Sequence, residues 1–245
     1  IPVPMPQADD SGALLHTLKG KPAALVDRLH GGHQLAPDVD HCAQVGAMLA
    51  RLHEAGRDFA GTQPNLRGLS WWDETVPLVL PHVTPAQREL QVELAFAHQV
   101  SASAAYRALP RGPIHADLFR DNVMFEPGDL GHERLCGFFA FYFAGVDTFL
   151  FDIAVCLNDW CIDLSSGELA EDRAQAFVAA YGDVRALDGN ERRLLPALMR
   201  AAALRFWLSR LWDFHLPREA TILKPHDPTH FERVLCARIA SPWHG

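Results

Sequence analysis

Pro113-Ile114-His115-Ala116-Asp117-Leu118-Phe119-Arg120-Asp121-Asn122-Val123-Met124-Phe125 is the stretch on which the reading of this chain turns. An apolar approach delivers His115 and Asp117, a polar loop follows, and an apolar, strand-like exit begins after Asn122. A carboxylate and an amide at this spacing suit one kind of chemistry. A weakly acidic hydroxyl needs a carboxylate to orient it and take its proton, and an amide oxygen one tight loop later can reach a metal that screens phosphates. A solvated turn rich in Asp and Asn would carry the same letters, so the flanking sequence has to decide.

The chain has 245 residues, 49% hydrophobic and 21% charged, enough for a substantial core in one large or two small domains. With 22 basic and 30 acidic residues the formal charge is −8, and no basic run is present, which argues against a nucleic-acid partner. No apolar run reaches the ~18 residues of a membrane span. The five cysteines are odd in number and scattered among apolar neighbours, the pattern of reduced core residues in a cytoplasmic protein. His30, His33, His41 and Cys42 fit no standard zinc ligand spacing.

Outward from the loop, the pattern predicts a small β piece and then a helical body, an α+β class. Apolar runs at 13–18 and 23–29 around Lys19-Gly20-Lys21-Pro22 predict a hairpin, and His30-Gly31-Gly32-His33 a hinge. Asp38 or Asp40 can cap a helix with Cys42, Val45, Leu49 and Leu52 on one face, ending near Gly56. Residues 61–81 read as irregular, with Trp71 and Trp72 as loop anchors. Thr84-Pro85-Ala86-Gln87 has the form of a capping box opening one helix over 84–109. Beyond the loop, strands are expected at 123–125 and 134–139 around Pro127-Gly128-Asp129. Asp147 or Thr148 starts a helix, a further one over 169–181 is closed by Gly182, and a long one from Asn190 to Trp212 kinks or restarts at Pro196. Asp227-Pro228 caps the last.

The spacing of His115, Asp117 and Asn122 is that of the kinase catalytic loop, with Ala116 where protein kinases usually carry Arg. Kinases set a second metal-binding carboxylate just after the following strand. Here Leu135-Cys136-Gly137-Phe138-Phe139 ends at Ala140. The run 115–125, then Gly137 with Phe141-Tyr142-Phe143-Ala144-Gly145 and Asp147, then Phe151-Asp152-Ile153-Ala154 and Asn158-Asp159-Trp160-Cys161, resembles the homoserine kinases built on the aminoglycoside-phosphotransferase fold. Arg205-Phe206-Trp207-Leu208-Ser209-Arg210-Leu211 and Asp213-Phe214-His215-Leu216-Pro217-Arg218 extend the resemblance, which covers essentially the whole chain.

The resemblance implies a bilobal, protein-kinase-like fold and ATP- and Mg2+-dependent phosphorylation of the hydroxyl of L-homoserine, a step towards threonine, by a cytoplasmic enzyme. It implies Asp117 as catalytic base, Asn122 as magnesium ligand, and position 140 as the family's other metal Asp, replaced here by alanine. Asp152 matches the helix Asp that holds the catalytic loop, and His115 is read as bracing that loop. By analogy with choline kinases, Asn158, Asp159 and Trp160 are substrate-side candidates. Arg205 and Arg210 lie five apart on a helix and do not share one face well; one of them can meet the substrate carboxylate, or form a buried ion pair. Arg120 and Asp121 read as solvated, although Arg120 can approach a phosphate. Asp147 is a fallback metal ligand.

The chain opens without an initiator methionine, and the resemblance implies roughly 70 residues before Ile1. That segment would carry the phosphate-covering loop, the phosphate-binding Lys and its Glu partner. Lys19, Lys21 and Lys224 are the three lysines, and the first two lie in a turn. The expected organisation is a partial N-lobe, 1–32, and a helical C-lobe, 33–245. Impaired turnover is the corresponding expectation. A catalytically inactive kinase-like domain and a kinase for another amino alcohol or an aminoglycoside are the alternatives. The sequence leaves oligomeric state open.

Overall fold

Asp38 shows how local chemistry starts the helical body. Its carboxylate accepts from the backbone N–H of His41, and the His41 ring reaches back to the Asp38 N–H, a reciprocal cap that opens α1, Val39–Ala55. Cys42, Val45 and Leu49 recur at helical spacing and are fully buried. At Gly46 a Cβ would collide with the Phe177 carbonyl of a later helix, so glycine lets two helix backbones approach closely. The computed structural model describes residues 1–84, 87, 89–128, 131–216 and 225–245.

The helical body continues with α2, Leu69–Val79; α3, Glu89–Ser101; α4, Ala104–Arg107; α5, Phe149–Trp160; α6, Glu171–Val184; α7, Gly189–His215; and α8, Thr229–Ala240. Every residue of α5 is buried, so this helix is apolar all round and forms the axis of the core. It packs against α7, α1 and α6, and α7 in turn carries α8, α2 and α3. No described helix is long and apolar enough to cross a membrane.

The described strands form antiparallel pairs. The strand β1, His16–Leu18, pairs with β2, Lys21–Ala23; β3, Arg111–Ile114, pairs with β6, Gly145–Thr148; and β4, Val123–Pro127, pairs with β5, Glu133–Phe138. The N-terminal hairpin is thin, with Leu15 and Leu25 at 75% and 68% exposure. It joins the body through reciprocal Gly32–Phe125 backbone bonds of 2.8 Å and a Phe138 N–H to Pro2 carbonyl bond of 3.0 Å. Gly31, at φ +104°, lies against the Phe125 carbonyl where a Cβ would clash, which fixes the hinge chemistry.

Several expectations are corrected. Residues 69–79 are helical, and Trp72, Thr75, Val76 and Val79 form the buried stripe that the paired tryptophans obscured. The single helix over 84–109 is two, because Ser103 adopts an extended backbone and caps α4 through the Tyr106 N–H. Thr84 does bond Gln87, but Pro85 and Ala86 of that box lie outside the described residues. Asp129 of the hairpin turn, and Pro217, Arg218 and Lys224, also lie outside them. Gly182 sits inside α6 and does not close it. The long helix is capped by Asp188 and runs unbroken through Pro196. Of the two proposed starts for α5, Thr148 is the cap and Asp147 belongs to β6. The β3–β6 pair was not foreseen.

Candidate active site

The β3 strand delivers Ile114, and the next peptide groups are seized by a carboxylate from the first turn of α5. Asp152 accepts the backbone N–H groups of His115 and Ala116, each at 2.8 Å. Ala116 is thereby held at φ +64°, a left-handed conformation unusual for alanine. Asp152 is completely buried, which alone would raise its carboxyl. Hydrogen bonds from His53 and the loop outweigh burial and hold it below the ordinary carboxylate range.

Behind Asp152 lies a chain of partners. His53 Nε2 is 3.2 Å from Asp152, and its Nδ1 is 2.7 Å from the Tyr181 hydroxyl. Burial keeps the His53 ring below its usual pKa, so it is neutral, donating from Nε2 and accepting at Nδ1. The Tyr181 oxygen accepts from Arg185 at 3.2 Å, and Arg185 donates to buried Glu191 at 2.8 Å. Each group has a partner, the condition for a buried polar chain to hold its shape.

The other side of the loop is tied to the strand end. The Asp117 N–H donates to His115 Nδ1 at 3.3 Å, leaving Nε2 to donate to the Phe139 carbonyl at 2.8 Å. The Phe139 N–H donates to the Asn122 carbonyl at 3.1 Å, and Asn122 Nδ2 to the Asp117 carbonyl at 2.7 Å. These bonds tie Asp117, Asn122 and the backbone of Phe139, the residue before Ala140, into one hydrogen-bonded unit. The Asn122 Oδ1 accepts no hydrogen bond from a described residue. Ala140 adopts φ +64°, ψ +46° and opens a short turn, Phe141–Phe143.

The Asp117 side chain is 22% exposed, and Arg205 NH1 lies 3.7 Å from its Oδ1. Burial pushes the Asp117 carboxyl up, against the pull of Arg205, His115 and Arg210. Burial brings Arg205 down to about 9, still protonated at neutral pH. Its guanidinium lies 3.7 Å over the Phe206 ring and 5.1 Å from that of Phe143.

Against the loop lies a cavity of about 430 Å³, lined in part by Phe119, Asp121, Asp159, Arg210 and Phe231. Of the three substrate-side candidates only Asp159 reaches it. It is engaged there by Arg120, through the backbone N–H at 2.8 Å and two guanidinium nitrogens at 3.0 Å. Arg120 is therefore half of a largely buried ion pair, and the expectation that it is solvated is corrected; Asp121 is exposed. Asn158 and Trp160 are wholly buried. Asn158 bridges the Met199 carbonyl and Arg238, and the Trp160 indole donates to the Leu118 carbonyl at 2.9 Å. Consecutive helical residues point about 100° apart, and on a helix buried all round most directions lead into the core. Asp147 is also occupied: Asn65, Arg111 and the Thr148 N–H hold its carboxylate.

Asn122 offers one oxygen, position 140 offers a methyl group, and no cluster of three or more His, Cys, Asp or Glu forms among the described residues.

The phosphotransferase enzyme family model matches residues 1–193. A homoserine kinase of Polaromonas naphthalenivorans is 65% identical over 99% of this chain and 76% of its own length. The chain belongs to the homoserine kinase family. A second member, from Paraburkholderia xenovorans, is 57% identical over 98% of this chain and 74% of its own length. Among solved structures, an amicoumacin kinase bound to AMP-PNP, Ca2+ and amicoumacin superposes with a TM-score of 0.67 at 14% identity, covering 98% of this chain and 71% of that one. The GDP complex of an aminoglycoside 2′-phosphotransferase gives 0.61 at 15%, covering 97% and 75%. The fold is thus the protein-kinase-like one. Within this homoserine kinase family chain, sequence reading missed His53, Tyr181 and the Arg120–Asp159 pair. A histidine at a core position of the α1 stripe was the available signal for the first.

Proposed function

We propose that the chain transfers the γ-phosphoryl group of ATP to the side-chain hydroxyl of L-homoserine, as its relatives' name describes. The observation that carries this is Asp117, a partly exposed carboxylate on a backbone clamped by Asp152. The homoserine hydroxyl bonds to Asp117, which orients it and takes its proton as oxygen attacks the γ-phosphorus. The new O–P bond forms as the bond to the bridging β,γ-oxygen breaks, and ADP leaves with that electron pair. A carboxyl raised by burial is a better proton acceptor than an ordinary one, provided it remains ionised at working pH.

His115 and Asp152 fix the backbone from which Asp117 projects. Asn122 is the one oxygen we assign to Mg2+, whose chemistry when bound is to neutralise phosphate charge. Position 140 contributes none, so the protein's share of the metal site is half of what the family's pattern asks for, and slow turnover is part of the reading. We assign residues 1–32 to the lobe that covers the nucleotide and 33–245 to the helical lobe that holds acceptor and base. The cytoplasm, with ATP at hand and free thiols maintained, suits the unpaired cysteines.

Ala140 favours a second reading, an inactive kinase-like domain that binds nucleotide without turnover. ADP release measured with L-homoserine, choline and kanamycin as acceptors tests both. Homoserine-dependent ADP formation is expected. AMP-PNP binding without any acceptor-dependent turnover would establish the inactive reading, and preference for choline or kanamycin would assign a different acceptor.

A further inference from the structure

Arg205 differs from the other buried charged side chains, each of which has a hydrogen-bond partner. Its side chain is 3% exposed, yet Nε and NH2 are buried without a hydrogen-bond partner among the described residues. A buried guanidinium normally finishes its fork on a carboxylate or phosphate, because each unmatched N–H carries its desolvation cost. Asp117 does not fill this role. At 3.7 Å the pair is beyond hydrogen-bond length and involves NH1 alone. Phe206 and Phe143 flank the guanidinium and hold its plane. Asp117 and Asp213 act electrostatically on Arg205 from the negative side, and Arg67 and Arg210 add positive potential beside it.

The acceptor in the preceding reading has such an anion at a fixed remove from its hydroxyl. A hydroxyl on Asp117 sits about 2.7 Å from the carboxylate oxygen. The α-carboxylate of an extended four-carbon hydroxy amino acid lies roughly 5 Å further along the molecule. Arg205 NH1, 3.7 Å from the same Asp117 oxygen, is at the near edge of that reach. A phosphate of the nucleotide would also satisfy a guanidinium. However, Arg205 lies on α7 between aromatic rings, with Arg210 one and a half turns on opening to the cavity beside Asp159. That cavity is on the helical side of the loop.

We propose that Arg205, supported by Arg210, is the specificity-determining clamp for the α-carboxylate of the acceptor, so that the site selects hydroxy amino acids over amino alcohols. This rests on the homoserine reading and extends it. An uncharged amino alcohol keeps the hydroxyl for Asp117 but leaves the Arg205 fork unmatched.

The test is binding to the purified enzyme with AMP-PNP and Mg2+ present, measured by calorimetry. It compares L-homoserine with L-homoserinamide, which retains hydroxyl, ammonium and chain length but lacks the charged carboxylate. The wild type is expected to bind homoserine about 10- to 150-fold tighter, the range of hydrogen bonds to a charged group. In Arg205→Gln that ratio should fall below about threefold. In Arg205→Lys, a point charge without a fork, it should fall partway. Arg205→Lys decides the matter if the glutamine variant does not fold, and an unchanged ratio there overturns the proposal. A wild-type ratio near one overturns it, as does undetectable homoserine binding. An equal loss for both ligands in Arg205→Gln would make Arg205 merely structural and overturn it too. Tight, carboxylate-dependent binding without phosphoryl transfer would instead sink the function reading and leave the clamp standing.

Discussion

Between Ile114 and Asn122 the loop is built from matched groups, whereas at Ala140 the backbone makes its turn and presents a methyl group. The loop side has the Asp152 carboxylate on two N–H groups, with His53 and Tyr181 behind it. The strand side is hydrogen-bonded to the loop through its main chain, the Phe139 carbonyl to the His115 ring and the Phe139 N–H to the Asn122 carbonyl. None of those bonds uses the side chain at 140. The hydrogen bonds that shape the loop are therefore independent of the side chain at 140. In the proposed reading an oxygen there adds charge for the metal, apart from its effect on the backbone turn.

The sharpest way to break that comparison is at the base. Asp117→Asn should lower kcat by about 10²–10⁴-fold, the usual contribution of a positioned proton acceptor, while leaving ATP binding within a few-fold. Steady-state kinetics alongside nucleotide titration would show it, and a loss confined to KM for ATP would contradict the assignment. The pH profile supplies a second check. Because burial raises the Asp117 carboxyl, the acid limb of kcat/KM should lie above the ordinary aspartate range, with activity falling as pH drops and the base becomes protonated.

Next in size is Ala140→Asp. If the strand side lacks only an oxygen, adding one should raise turnover about 10- to 1,000-fold, since each 1.4 kcal/mol of added charge stabilisation is about tenfold. The Mg2+ concentration at half-saturation should fall as well, and Mn2+ titration reads that without relying on turnover. Equal rates for the alanine and aspartate forms would mean that position 140 is not a metal ligand.

His53→Leu then tests whether the loop side owes its order to the buried chain. The change leaves Asp152 and Tyr181 each short of a partner in the core, which costs about 2–4 kcal/mol of stability. Denaturant unfolding measures it. A loss below about 0.5 kcal/mol would show that Asp152 is held by the loop N–H groups alone.

Which parts were legible in the sequence follows from range. The catalytic loop, the Asp38 and Thr148 caps and the β4–β5 hairpin are local patterns, and each residue type at its spacing has one good conformational use. The β3–β6 pair joins segments more than thirty positions apart, and Gly112-Pro113 and Gly145 spoil the alternation by which short strands are recognised. Asn158-Asp159-Trp160 reads as a pocket lining only by analogy with choline kinases. On a helix buried on every side, such residues serve the core as readily. Arg205 could be named from the sequence, but its unmatched nitrogens could not, because they depend on what α7 does not find around it.

The smallest expected effect separates shape from charge most directly. Ala140 sits in the left-handed region, which costs an alanine about 1–2 kcal/mol and is tolerated better by Asn and Asp, whose short side chains bond locally. Ala140→Asn should therefore raise stability by a few tenths to about 1 kcal/mol. For a domain of this size that is about 2–4 °C in Tm at the upper end. Ala140→Asp enjoys the same backbone relief but sets a second negative charge in the cleft that holds Asp117. Without a divalent cation and nucleotide it should be the less stable of the two. Adding Mg2+ with AMP-PNP should raise the aspartate form more than the asparagine form and close or reverse the gap. Thermal unfolding of both variants, with and without those additions, gives the comparison in one experiment. If Asn is destabilising, the strand side is set by something other than its backbone turn. If the two variants respond equally to Mg2+ and AMP-PNP, the charge at 140 plays no part in holding the metal.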